Sequence, residues 1–146
     1  MNSLELGILF IVFALLLISA IITLIARHEI TQTDKQAIAV RTLGVWTSAV
    51  EILILILVGV HILGGKSILV DWIPYVVVIL SIIAGVMSTV AAIKYKNSTE
   101  YDTDPKPYNG FISGATINFI SAFVMLCYFG YTLFKIETFQ AKTNTY

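Results

Sequence analysis

Unbroken apolar runs separated by short polar stretches organise the chain. They cover about 4–26, 45–63, 72–93 and 111–134, and a helix needs roughly 20 apolar residues to cross about 30 Å of hydrocarbon. The runs are apolar at consecutive positions and not at every second one, so they read as helices and not as barrel strands. The pattern predicts an all-α integral membrane protein, a single transmembrane domain (1–146) whose helices form an up-down four-helix bundle with both termini on the same side. The first run is too long for the core of a signal peptide and follows no basic stretch. It is therefore expected to be a retained helix.

Local signals refine the helix ends. Thr33-Asp34-Lys35-Gln36 fits a capping box, a hydroxyl followed three residues later by Gln. The second helix is then continuous from about 34 to 63, its first turns projecting beyond the apolar span, with Gly64-Gly65 as a stop. Asp71 is a candidate cap for the third helix, and Pro74 falls in its first turn, where a missing N–H does no harm. Trp72 and Tyr75, with Tyr128, Tyr131 and Phe134, read as an aromatic belt on one side, and Trp46 and Tyr95 mark the other. The stretch 97–110 is expected to be a polar loop and 135–146 a polar tail that orders only against something else.

Composition agrees with the pattern. Apolar residues make up 58% of the chain and charged residues 12%, against about 45–50% and 25% in soluble domains. Lys plus Arg and Asp plus Glu are nine each, so no basic bulk points to nucleic acid as a partner. The distribution of cations is more informative. Arg27, Lys35, Arg41, Lys94, Lys96 and Lys106 lie in or beside the segments 27–44 and 94–110, while Lys66, Lys135 and Lys142 lie on the opposite side. The positive-inside rule then places 27–44 and 94–110 in the cytoplasm. Asn97-Ser98-Thr99 is a glycosylation triplet that would demand the reverse orientation, but such triplets arise often by chance and this one abuts a helix end.

The chemistry-bearing residue is Glu51, the one charge within the run 45–63. A charge at the centre of a membrane helix costs about 2.5–3.5 kcal/mol on insertion scales, so such residues face protein or water. Counting at about 1.5 Å per residue puts Glu51 roughly 9 Å below the membrane entry of its helix. Asn118, Ser88, Thr89 and Ser19 fall at the same level on the other helices. Small-residue stripes support this inward face: Gly44, Thr47, Ser48, Glu51, Leu55 and Gly59 on the second helix, Ser81, Ala84, Gly85, Ser88, Thr89 and Ala92 on the third, and Gly114, Asn118, Ser121, Ala122 and Met125 on the fourth. Such stripes let membrane helices approach closely. The first helix, rich in Leu, Ile and Phe, is expected to face lipid most. His61, about 15 Å along the helix axis from Glu51, is a second candidate, expected to reach headgroups or Glu5 and Asp71.

These residues allow a cation- or proton-binding carboxylate held by Asn118 and third-helix hydroxyls, or a structural lock in which Glu51 fixes helix register. Transporters usually show broken helices or several charged groups, and no helix here has a mid-span proline, so the lock is favoured. No HExxH, GxSxG or glycine-rich phosphate loop occurs, and Asp102-Thr103-Asp104 lacks a full oxygen ligand set. No enzyme, metal or cofactor is expected. Cys127 is the single cysteine and reads as a small apolar filler. The helix count resembles that of tetraspanins, claudins and MARVEL-type proteins, without the cysteine-bearing loop of the first two, and the resemblance ends there. The expected role is a non-enzymatic structural or assembly subunit of a larger membrane complex, or of the membrane or minor capsid layer of a membrane-containing virus. Its partners would be the bilayer and other subunits, met through the small-residue faces and the segments 27–44 and 94–110. A small oligomeric proton or cation channel using Glu51, and an accessory subunit of a membrane enzyme, are the alternatives.

Overall fold

The computed structural model describes the backbone of residues 3–31, 35–64 and 72–144, and the side chains among these except those of 99 and 135–144. The helices are α1 (Ser3–Glu29), α2 (Lys35–Gly64), α3 (Ile73–Lys96) and α4 (Lys106–Asn144). All four are long and apolar enough to cross a membrane. The expected cap and stop residues Thr33, Asp34, Gly65 and Asp71 lie outside the described residues.

Helix α1 packs against α2 and α4, and α3 packs against the same two, so the helices close into a ring. Ala26 lies against Gly110, Thr23 against Gly114 and Ser19 against Asn118, so α1 and α4 run antiparallel. Helix α1 therefore starts, and α4 finishes, at the same end of the bundle, here end A. End B holds the α1–α2 connection and the α3–α4 hairpin.

Helix α1 is, with α2, the least buried of the four, and Leu9, Val12, Leu16, Ser19, Ala20, Thr23 and Ala26 form the inward face along it. Because its outer residues are also Leu, Ile and Phe, apolarity alone does not reveal which side is inward. One expectation about packing is corrected: on α2 the inward stripe continues from Glu51 through Ile54, Val58 and His61, while Leu55 and Gly59 are only partly buried.

The fourth helix exceeds its apolar run at both ends. It begins at Lys106, with Asp104 Oδ1 accepting the Lys106 N–H at 3.1 Å and Pro107 in the first turn, where its missing N–H is harmless. The stretch before it contains a 3-10 turn, Thr99–Asp102, so the segment 97–110 expected as a polar loop holds one helical turn and the start of α4. At the other end the helix continues to Asn144 instead of giving way to a tail at 135. No glycine or proline interrupts 135–144, and nothing else in the sequence there stops a helix.

End B is tied together by this hairpin. Tyr95 is fully buried, and its hydroxyl donates to the Asp104 carbonyl at 2.5 Å; it is a packing residue, not an interfacial anchor. Tyr101 stands edge-on to both Tyr95 and Tyr108. Glu100 Oε1 accepts from the Thr31 amide at 3.2 Å and its hydroxyl at 3.3 Å, linking the hairpin to the end of α1. Within the glycosylation triplet, the Ser98 hydroxyl is buried and donates to the Tyr95 carbonyl at 2.6 Å.

Candidate functional site: a closed polar layer

The interior is layered. Toward end B, Ala26, Ala37, Val40, Ala91, Ala92, Tyr95 and Phe111 pack as one apolar cluster. Toward end A, Leu9, Val12, Leu16, Ile54, Val58, Val77 and Met125 belong to a second. Between them each helix contributes buried polar side chains: Ser19 and Thr23 from α1, Thr47, Ser48 and Glu51 from α2, Ser88 from α3, Asn118 and Ser121 from α4.

Glu51 is fully buried. The side chains that face its carboxylate are Ser19, Thr23 and Asn118, yet neither Oε1 nor Oε2 has a hydrogen-bond partner of regular geometry. Two of these neighbours are engaged with other groups. Asn118 Nδ2 donates to Ser19 Oγ at 3.2 Å, and Ser19 Oγ donates to the Gly114 carbonyl at 3.1 Å. Asn118 Oδ1 and Thr23 Oγ1 have no hydrogen-bond partner of regular geometry. An unsatisfied buried polar group costs roughly 1–3 kcal/mol and a buried charge more, so this layer is costly to bury as it stands.

The third-helix hydroxyls are placed differently from expectation. Ser88 Oγ donates to the Phe111 carbonyl at 2.6 Å, fastening α3 to α4. Thr89 is only partly buried and bonds back to its own helix at Gly85, as hydroxyls in helices often do. Neither is among the groups facing Glu51; helix α1 supplies those hydroxyls instead. Thr23 was the residue not anticipated. Its signal lay in its spacing from Ser19: residues four apart share a helix face, and these are the hydroxyls of an otherwise apolar segment.

Glycines make the layer compact. A Cβ on Gly114 would meet Thr23 Oγ1 at 2.9 Å and both Ser19 Oγ and Ser88 Oγ at 3.6 Å, so three hydroxyls converge on that backbone position. A Cβ on Gly110 would lie 2.7 Å from the Ala26 Cβ, and one on Gly44 would lie 3.2 Å from the Arg27 Cβ. The Arg27 stem thus lies along α2, and its Nε is buried without a partner.

His61 is separate from this layer. It is buried, and its Nε2 lies 3.4 Å from the Tyr128 hydroxyl with the rings perpendicular. Tyr128 is accordingly turned inward, not part of an exposed belt, whereas Trp72, Phe134 and Trp46 are exposed. Tyr75 stacks on Phe129, ring centroids 4.3 Å apart. Cys127 lies on the outer surface and is not an interior filler. No cluster of three or more His, Cys, Asp or Glu suited to a metal occurs among the described residues. No family model, curated protein or solved structure matches the chain.

Proposed function

We propose that the chain is a small, non-enzymatic integral membrane protein that serves as a structural or assembly subunit of a larger membrane-associated complex. The observation that carries this reading is the closure of the polar layer. Apolar clusters bound it toward both ends, so the arrangement is suited to fixing helix register and not to passing ions along the bundle axis. In lipid, interhelical hydrogen bonds and close packing at small residues hold helices together, and the Asn118–Ser19–Gly114 chain supplies both.

The outer surface supports the membrane setting. Phe10, Ile11, Leu53, Ile56, Ile79 and Phe123 are among the large apolar side chains exposed on all four helices. A surface of this kind belongs against lipid or partner protein. The helix lengths support assembly. At about 1.5 Å per residue, the 39 residues of α4 extend roughly 58 Å, well beyond the hydrocarbon thickness of about 30 Å. The continuation of α4 at end A and the first turns of α2 with the hairpin at end B are the surfaces offered to partners. End B carries the larger share of Lys and Arg and is assigned to the cytoplasm. The host assembly would be a multisubunit membrane complex or the membrane layer of a virus particle.

The test is extraction of the full chain from its native membrane in mild detergent, followed by size analysis. The assembly role predicts migration with a stoichiometric complex larger than one chain. A single, monodisperse chain that conducts ions after reconstitution would replace this reading with the channel alternative.

A further inference from the structure

Four oxygens in the polar layer, Glu51 Oε1 and Oε2, Thr23 Oγ1 and Asn118 Oδ1, are buried without a hydrogen bond of regular geometry, and the Thr23 and Asn118 side chains face the Glu51 carboxylate. No hydrogen bond of regular geometry joins them, although each could accept and the Thr23 hydroxyl lies near enough to the carboxylate to act on it. Oxygens that share a hard cation are held by the ion and need no hydrogen bonds to one another. The nearby donors that would otherwise compete are engaged: Ser19 Oγ is directed to Gly114 and Ser88 Oγ to Phe111.

Charge narrows the class. Between Arg41 and His61 on α2, and along 6–26, 73–93 and 107–134, Glu51 is the sole Asp, Glu, Lys, Arg or His. Arg27 lies two turns beyond Ser19 toward end B, with its stem against Gly44. A divalent ion would leave the layer with an uncompensated positive charge, which burial penalises heavily, whereas a monovalent ion leaves it neutral.

We propose that Glu51, Thr23 and Asn118 form an occluded site for one small monovalent cation of the sodium type, which joins α1, α2 and α4. Helix α1 is essential to it, through Thr23. The site goes beyond the assembly role and does not depend on it, because an ion enclosed between apolar clusters stabilises the bundle whatever partners surround it.

The test uses the purified full chain in detergent, with thermal unfolding followed in sodium chloride and in choline chloride at equal ionic strength. Sodium is expected to raise Tm saturably, by roughly 5 °C or more at about 100 times its dissociation constant. Thr23→Val should weaken the apparent sodium affinity about tenfold or more, and Glu51→Gln should abolish the response. The infrared carboxyl bands of the unmodified protein provide a readout that needs no variant to fold: exchange of choline for sodium should convert a carboxylic-acid band into a carboxylate band. A Tm independent of sodium, a response retained in Glu51→Gln, or an acid band unchanged by sodium would each overturn the proposal.

Discussion

Asn118 Nδ2 donates to Ser19 Oγ at 3.2 Å across the α1–α4 interface. The same serine hydroxyl donates a hydrogen bond to the Gly114 carbonyl at 3.1 Å, so one hydroxyl serves two positions a turn apart on α4. Single replacements Ser19→Ala and Asn118→Ala should each destabilise the bundle. Their double-mutant cycle should show a coupling of about 0.5–1.5 kcal/mol, the range of interhelical hydrogen bonds in membrane proteins. Reversible unfolding in mixed detergent micelles measures it, and strict additivity would remove this bond from the account.

Close approach predicts an asymmetry between two glycines. A methyl at Gly110 would meet the Ala26 Cβ at 2.7 Å, an atom fixed to the α1 backbone, so the helices must separate. A methyl at Gly85 would meet the Phe119 ring at 2.8 Å, and that partly exposed ring can swing outward. Gly110→Ala should therefore cost about 1–3 kcal/mol, the usual range for overpacking, and Gly85→Ala distinctly less. The same micelle unfolding experiment compares them.

Glu100 tests the fastening of end B. Its Oε1 receives both the amide and the hydroxyl of Thr31. Glu100→Ala should accelerate hydrogen exchange of the Thr31 amide while leaving amides at the level of Asn118 unchanged, because the contact is local to one end. Hydrogen exchange read by mass spectrometry or NMR resolves the two regions.

Cys127 reports on the surroundings of the bundle without any substitution, being the single cysteine and exposed. A spin label attached there in reconstituted vesicles should be strongly relaxed by oxygen and weakly by a water-soluble paramagnetic complex. The opposite pattern would place the outer face of α4 in water and contradict membrane insertion.

The apolar runs made the helices legible because a continuous apolar segment of sufficient length has few other stable forms in lipid. The level of Glu51 with Ser19 and Asn118 was readable by counting a constant rise along antiparallel helices. Helix facing was not. Helix α1 is apolar on every side, so its inward stripe emerged from the packing of Leu9, Val12 and Leu16 and from hydroxyls meeting Gly114. Aromatic positions were equally ambiguous: Tyr95 and Tyr128 lie where a belt is expected, but their hydroxyls meet the Asp104 carbonyl and His61. The reach of α4 past Phe134 was hidden because polar residues without glycine or proline suit a projecting helix as well as a tail.

The central claim is that the polar layer is closed and locks the bundle without opening a path. Flux of protons and of sodium into liposomes holding the purified full chain tests it most directly. The account predicts rates equal to those of protein-free liposomes, for the unmodified chain and for Glu51→Gln alike. Flux above that background which Glu51→Gln abolishes would contradict it.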